Sequence, residues 1–303
     1  MEIMRKFSNV SAILMLTLAM FFVVGCTPED EPNNGGGNGG GQNEPTATIN
    51  GVFSVGEESI VYFSRGNLQY KFIGQTWCFA EHQWDYLGNN GQGSDDEKVD
   101  RDLFGWGTSG VNHGAVCYQP WSTSVDPNDY QVYGKPKYDL CDSTMKADWG
   151  CNAIVNGGNV HNTWRTLTDV EWTYLIYTRY TPSGIRFAKA KVNDVNGLIL
   201  LPDDWKADYY TLNSTDTPNA GFDSNVISAS QWDKLEQHGA VFLPTAGYRN
   251  GVSIWKNTGN YWSASHVYAT GAHSLYISGQ YVSPNYFDNR SIGASVRLVR
   301  SFR

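Results

Sequence analysis

The chain has 303 residues, among them 11 Trp and 18 Tyr, with only 17% charged residues and a formal net charge of −8. So aromatic a composition excludes general disorder beyond an N-terminal linker. The negative balance, with no basic block, makes the surface a poor binder of nucleic acid or anionic membranes, and no nucleic-acid partner is expected.

Arg5 and Lys6 precede an apolar stretch from Ala12 to Val24, interrupted only by Thr17. This is the core of a signal peptide over residues 1–25, too short and wrongly flanked for a membrane span. It ends Val23-Val24-Gly25-Cys26, which resembles a bacterial lipobox. The resemblance implies diacylglycerol on the Cys26 sulfur, cleavage before it and acylation of the new amine. Several acyl chains anchor stably where one does not. The acidic run Glu29-Asp30-Glu31 resembles the surface-export signal of Bacteroidetes lipoproteins. The chain is thus expected on the outer membrane, lipid-anchored and facing the cell exterior. Residues 26–48, with Gly35–Gly37 and Gly39–Gly41, form a tether that buries nothing.

The globular region is read as a β-rich part over 49–160 followed by a domain over 161–303, or as one continuous unit. Phe53-Ser54-Val55, Ile60–Phe63, Leu68–Phe72 and Trp77–Phe79 alternate or run apolar between turns, which predicts a small β-meander. Asn89–Asp102 is rich in Gly, Asp and Ser and is expected as a solvated acidic loop. Its spacing of acids lacks the pattern of a calcium loop. Residues 104–160 promise long loops packed by aromatics. Cys78, Cys117, Cys141 and Cys151 form an even set, which permits disulfides in three connectivities. Cys141 and Cys151 are near enough in sequence to close a short loop.

Two helices carry the same start signal. Thr168-Asp-Val-Glu171 is a capping box, with Leu167 and Trp172 at staple spacing. Trp172, Leu175, Ile176 and Arg179 then share one face. Ser228-Ala-Ser-Gln231 repeats the box, Ile227 and Trp232 repeat the staple, and Gly239 is a helix stop. A similar strand follows each helix, Gly197–Pro202 and Gly239–Pro244.

The stretch 239–303 alternates short apolar runs with Gly, Asn and Ser clusters. In Ser274–Ser278, Leu275 and Ile277 share one strand face. Ser295–Arg300 has apolar residues on both faces, which predicts an inner strand in which Arg297 needs a partner. Three motifs stand here: Tyr261-Trp262-Ser263-x-Ser265; Ala272-x-x-Leu275-x-Ile277; and Asn289-Arg290-x-x-Gly293-x-Ser295-Val296-Arg297-Leu298-Val299. Together they resemble the end of the Fibrobacter major paralogous domain. That family implies an α+β, C-type-lectin-like fold, with short antiparallel strands, two main helices and long loops, related to formylglycine-generating enzymes. Those enzymes use late cysteines. This chain has none after Cys151, so their activity is not carried over.

No Gly-x-Ser-x-Gly, His-Glu-x-x-His, Walker or Cys-x-x-Cys sequence occurs, and no cofactor, metal or catalytic residue is expected. The loops between Tyr248 and Asn289 are instead rich in Tyr, Trp, Asn, Ser and Gly and contain no Glu. Rigid amphipathic rings beside small polar groups are the chemistry of a binding surface. Trp255, His266, Tyr268, His273, Tyr276, Tyr281, Asn285, Tyr286 and Asp288 are the candidate contacts for a protein or glycan ligand. Tyr248 and Trp262 fall in the family-patterned stretches and read as structural. The alternatives are a structural or adhesive surface component, and an enzyme of another type. A further alternative follows from proteins resembling this one that are targets of diversity-generating retroelements. Those systems vary residues reachable from Asn codons, which abound at 266–292. On that reading the varied positions form one exposed patch.

Overall fold

In the computed structural model the described residues are 47–110, 118–131, 137–141 and 146–302, all within the unit Asn43–Arg303. The leader, Cys26, the tether up to residue 46 and Cys117 lie outside them. The strands are β1 (Phe53–Ser54), β2 (Ile60–Phe63), β3 (Leu68–Lys71) and β4 (Thr76–Phe79). Helix α1 (Asp169–Thr173) follows, extended by a π-turn over Tyr174–Thr178. Next come β5 (Phe187–Val192), β6 (Val195–Leu200), β7 (Val226–Ile227) and α2 (Ala229–Gln237). The chain finishes with β8 (Val241–Pro244), β9 (Tyr248–Asn250), β10 (Ser253–Trp255), β11 (Gly259–Val267), β12 (Gly271–Ile277), β13 (Val282–Asn289) and β14 (Val299–Ser301). The class is α+β, with short and mostly antiparallel strands.

Both helices begin where the side chains say they should. Thr168 accepts from the Glu171 N–H while Glu171 reaches back to the Thr168 N–H. Ser228 and Gln231 make the same reciprocal pair. Each box satisfies donors that a helix start leaves open. Helix α2 ends in a Schellman arrangement, with Gly239 N–H donating to Glu236 and Ala240 N–H to Leu235. Gly239 sits at φ +83°, and a Cβ there would lie 2.6 Å from the Gly51 Cα. Trp172, Leu175, Ile176 and Arg179 are all buried, as is Trp232.

The two similar strands are neighbours: β6 and β8 pair antiparallel in the four-stranded sheet β7-β5-β6-β8. Asn193 and Asp194, at φ 45° and 64°, close β5 onto β6 in a two-residue turn whose twist matches the strands.

The predicted meander is not formed. β2 pairs with β1 and β14, while β3 pairs with β4 in a separate sheet. The reason is the C-terminal segment. Ser64 N–H donates to Leu298 and Leu68 N–H to Val296, so residues 296–298 lie where β2 and β3 would otherwise meet. Arg297 is thereby buried. Its Nη2 donates to Gln83 Oε1 at 2.7 Å, and Gln83 Nε2 donates to Glu236 at 2.7 Å. Burial lowers the guanidinium pKa to about 10, and Gln83 bridges Arg297 to Glu236 by hydrogen bonds. No domain boundary falls near residue 160, because residues from both sides share the same core clusters.

Two further expectations are corrected. The segment 89–102 is not a solvated loop throughout. Gln92, Arg101 and Asp102 are buried, and Arg101 donates to the carbonyls of Gly91, Ser94 and Asp96. A guanidinium has donors enough to fold a short polar loop around itself. No disulfide joins Cys141 to Cys151: Cys78, Cys141 and Cys151 are free thiols. The Cys151 thiol instead donates to the Lys146 carbonyl. Among the described residues, no helix is long and apolar enough to cross a membrane.

Candidate functional site

The site grows out of the sheet β11-β12-β13. Strand alternation divides its residues between two faces. Tyr261, Leu275 and Ile277 point into an apolar cluster with Trp172 and Phe63. On the other face, register sets Asn260 opposite Tyr276, Ser274 opposite Tyr286, and Ala272 opposite Asp288. A bulge in β13 between the partners of Ser274 and Tyr276 shifts the pairing by one residue, so Tyr286 lies close to Tyr276. Their rings stack at 4.7 Å with 25° between planes.

The hairpin β9–β10 joins this face at its edge. Gly247 bridges Gly259 at the start of β11. Gly247 has φ +88°, and a Cβ there would lie 2.1 Å from the Trp255 carbonyl oxygen, so only glycine permits this closure. Arg249 fixes the hairpin from beneath. It is fully buried and donates to the carbonyls of Gly251 and Ser122, each at 2.7 Å. Tyr248 and Trp255 are cross-strand partners, and their rings stack at 6.1 Å with 5° between planes. Trp255 is 56% exposed.

Asp288 lies among these rings. Its Oδ2 accepts from Ser274 Oγ at 2.7 Å and from Asn260 Nδ2 at 3.0 Å. Burial holds the carboxyl above its usual range, and those two hydrogen bonds oppose the shift. The Tyr248 and Tyr286 hydroxyls are raised as well, first by burial and then by the nearby Asp288 charge and the Tyr276 hydroxyl. Tyr248 and Tyr286 thus lie near a single carboxylate.

Trp255, Tyr276, Tyr286 and Asp288 are therefore brought together, and Tyr248, read as structural, joins them. Its partner across a two-residue turn was the available signal. Trp262 is fully buried, with Nε1 donating to the Phe104 carbonyl. The other candidates lie apart. Tyr268 sits at the β11–β12 turn and Tyr281 at the β12–β13 turn, at opposite ends of seven-residue β12, about 20 Å apart at strand rise. Tyr268 is 73% exposed and packs edge-on against Phe287. His266 is held by Asp139, whose Oδ1 lies 2.7 Å from Nδ1 and also accepts the His266 backbone N–H. His273, opposite Phe287 in register, lies 3.9 Å from Asp169 at the start of α1. Asn285 is exposed at the bulge. The single patch expected over 266–292 is not formed, because alternation and the two turns scatter those positions, and Ser291 is buried.

The largest described cleft, about 540 Å³, lies elsewhere, beside Arg65, Glu81, Trp84 and Glu236. It is polar, and Glu236 is already engaged by Gln83 there. The ring cluster is the stronger candidate because Trp255 and Tyr286 are exposed and each is ordered by stacking on a half-buried tyrosine. Among the described residues, no group of three His, Cys, Asp or Glu side chains is placed to hold a metal ion. No protein-family model, curated protein or solved structure matches the chain.

Proposed function

We propose that this protein is a cell-surface lipoprotein, anchored through Cys26, whose C-type-lectin-like domain presents a non-catalytic binding face for a protein or glycan ligand. The observation that carries the binding reading is the ring cluster near Asp288, in which Trp255 and Tyr286 are exposed and stack on the half-buried Tyr248 and Tyr276. Rings that cover their own core do not stand in solvent beside a fixed carboxylate; such groups are found at recognition surfaces. The lectin-like assignment is supported by short antiparallel strands, two capped helices and a C-terminal segment threaded through the core. The anchoring reading rests on Arg5, Lys6, the apolar run and Gly25-Cys26. A second reading, adhesion or self-association, draws on the half-exposed Phe287 beside Tyr268.

The test is an array carrying glycans and surface proteins, probed with the full chain in detergent. At least one ligand is retained by the wild type, lost in Trp255→Ala and recovered chemically unchanged. Equal retention by both chains, or a ligand returned as product, refutes the proposal.

A further inference from the structure

We propose that a separate cleft, on the opposite side of hairpin β9–β10 from Trp255, takes a small zwitterion: a free amino acid or short peptide held by its charged ends. This site is independent of the ring cluster and does not rest on the binding reading above.

The first argument is a preformed space. The cleft has a volume of about 370 Å³, within the lower range of small-molecule sites. Its walls are the turn joining β5 to β6, the end of β10, and the loop that follows β4. Ile254 lines it, while Trp255, the next residue of β10, turns to the other side and stacks on Tyr248. Each wall is tied to the fold. The Asn196 carbonyl accepts the Thr245 N–H at 2.7 Å and the Thr245 hydroxyl at 3.0 Å. Asp102, itself buried, accepts the Leu87 N–H in the loop after β4. Arg249 holds the hairpin. A ligand therefore meets walls already in place, which spares it the cost of ordering them.

The second argument is charge. Asp194 and Lys256 are the only charged side chains lining the cleft. They stand on different walls, Asp194 in the β5–β6 turn and Lys256 just beyond β10. They are not paired with each other, and among the described residues neither makes an ion pair with any other group. One carboxylate and one ammonium sum to no net charge. A lone cation or anion would meet one complementary wall and one like-charged wall. A ligand carrying both charges satisfies both walls, its ammonium donating to Asp194 and its carboxylate accepting from Lys256.

The third argument is the remaining polar lining. Asn89, Asn196 and Asn257 also face the cleft, and among the described residues none of these amide side chains has a hydrogen-bond partner. The Asn196 Oδ1 is buried in that state, which is costly until a donor meets it. Amides both donate and accept, so they match a ligand amine, a carboxylate or a peptide bond. Val195 and Ile254 add an apolar wall for a small aliphatic side chain.

The experiment titrates the full chain in detergent with the free L-amino acids, dialanine and trialanine, read by calorimetry. Each ligand is also supplied N-acetylated and as its C-terminal amide. At least one zwitterion binds, and blocking either end weakens it by about tenfold or more. Binding by the amino acids or by the peptides supports the proposal and names the source. Asp194→Asn, which keeps a residue tolerant of the left-handed turn, also costs about tenfold and removes the penalty of N-acetylation. Lys256→Gln does the same for amidation. Tyr286→Ala, in the ring cluster, leaves the affinity unchanged. Both substituted charges are exposed, and melting temperatures confirm folded variants. The blocked ligands probe the wild type alone, so the outcome does not depend on any variant folding. No zwitterion bound overturns the proposal. Binding indifferent to blocked ends, or to both charge substitutions in folded protein, overturns it as well.

Discussion

Asp102 offers a perturbation whose size the structure sets. It is fully buried, with Oδ2 accepting the Leu87 N–H at 2.6 Å and Oδ1 left without a partner. Desolvation dominates, and the carboxyl rises from an ordinary 3.8 to about 6. At about 1.4 kcal/mol per pH unit, that shift makes ionised Asp102 cost the fold about 3 kcal/mol. The sign follows from the direction. A carboxyl with a raised folded pKa favours the fold fully below the unfolded value and loses that contribution as pH rises through 6. Asp102→Asn keeps an oxygen for Leu87 and removes the titration. Its second amide atom lacks a partner, at a pH-independent cost of about 1–3 kcal/mol. The stability difference between variant and wild type should therefore change by about 2 kcal/mol between about pH 4 and pH 7, with the wild type gaining toward acid. Urea unfolding followed by tryptophan fluorescence at several pH values measures this. Parallel pH profiles for the two chains would refute the reasoning and leave Asp102 solvated.

Trp172→Ala and Trp232→Ala each empty a fully buried site and should cost about 3–5 kcal/mol in the same unfolding assay. Thr168→Ala and Ser228→Ala should each cost about 1 kcal/mol through the lost cap; unchanged midpoints would show that the boxes do not stabilise these helices. Native-state thiol labelling should modify exposed Cys141 first and the Cys151 thiol slowly, since burial pushes its pKa up to about 11; protection of Cys141 until reduction would restore a disulfide there. Cys26→Ala should move the protein out of the membrane fraction, and continued detergent-phase partitioning would sink the anchoring proposal.

What the sequence disclosed was local. A capping box spans four residues, so Thr168 with Glu171 and Ser228 with Gln231 announce themselves in one dimension, and so does the stop at Gly239. The apolar alternation of Leu275 and Ile277 likewise places β12 with one face in the core. What stayed hidden depended on distant partners. Residues 296–298 enter between β2 and β3, a contact across most of the chain that no local pattern encodes. Asp102 and Arg101 look like members of a solvated polar run until the backbone carbonyls around them are known. Composition marked the loops rich in Tyr, Asn and Ser but could not assign their residues to faces. Trp255 and Tyr286 belong to one cluster, while Tyr268 and Tyr281 point away from opposite turns. Tyr248 meets its stacking partner Trp255 only once the hairpin closes through Gly247, which no local pattern encodes.

The proposed binding face is tested most directly by hydroxyl-radical footprinting of the full chain with and without a ligand found on the array. The account predicts protection of Trp255, Tyr276 and Tyr286, with Tyr268 and Tyr281 reacting as in the free protein. Protection of Tyr268 or Tyr281 with Trp255 still fully reactive would contradict it.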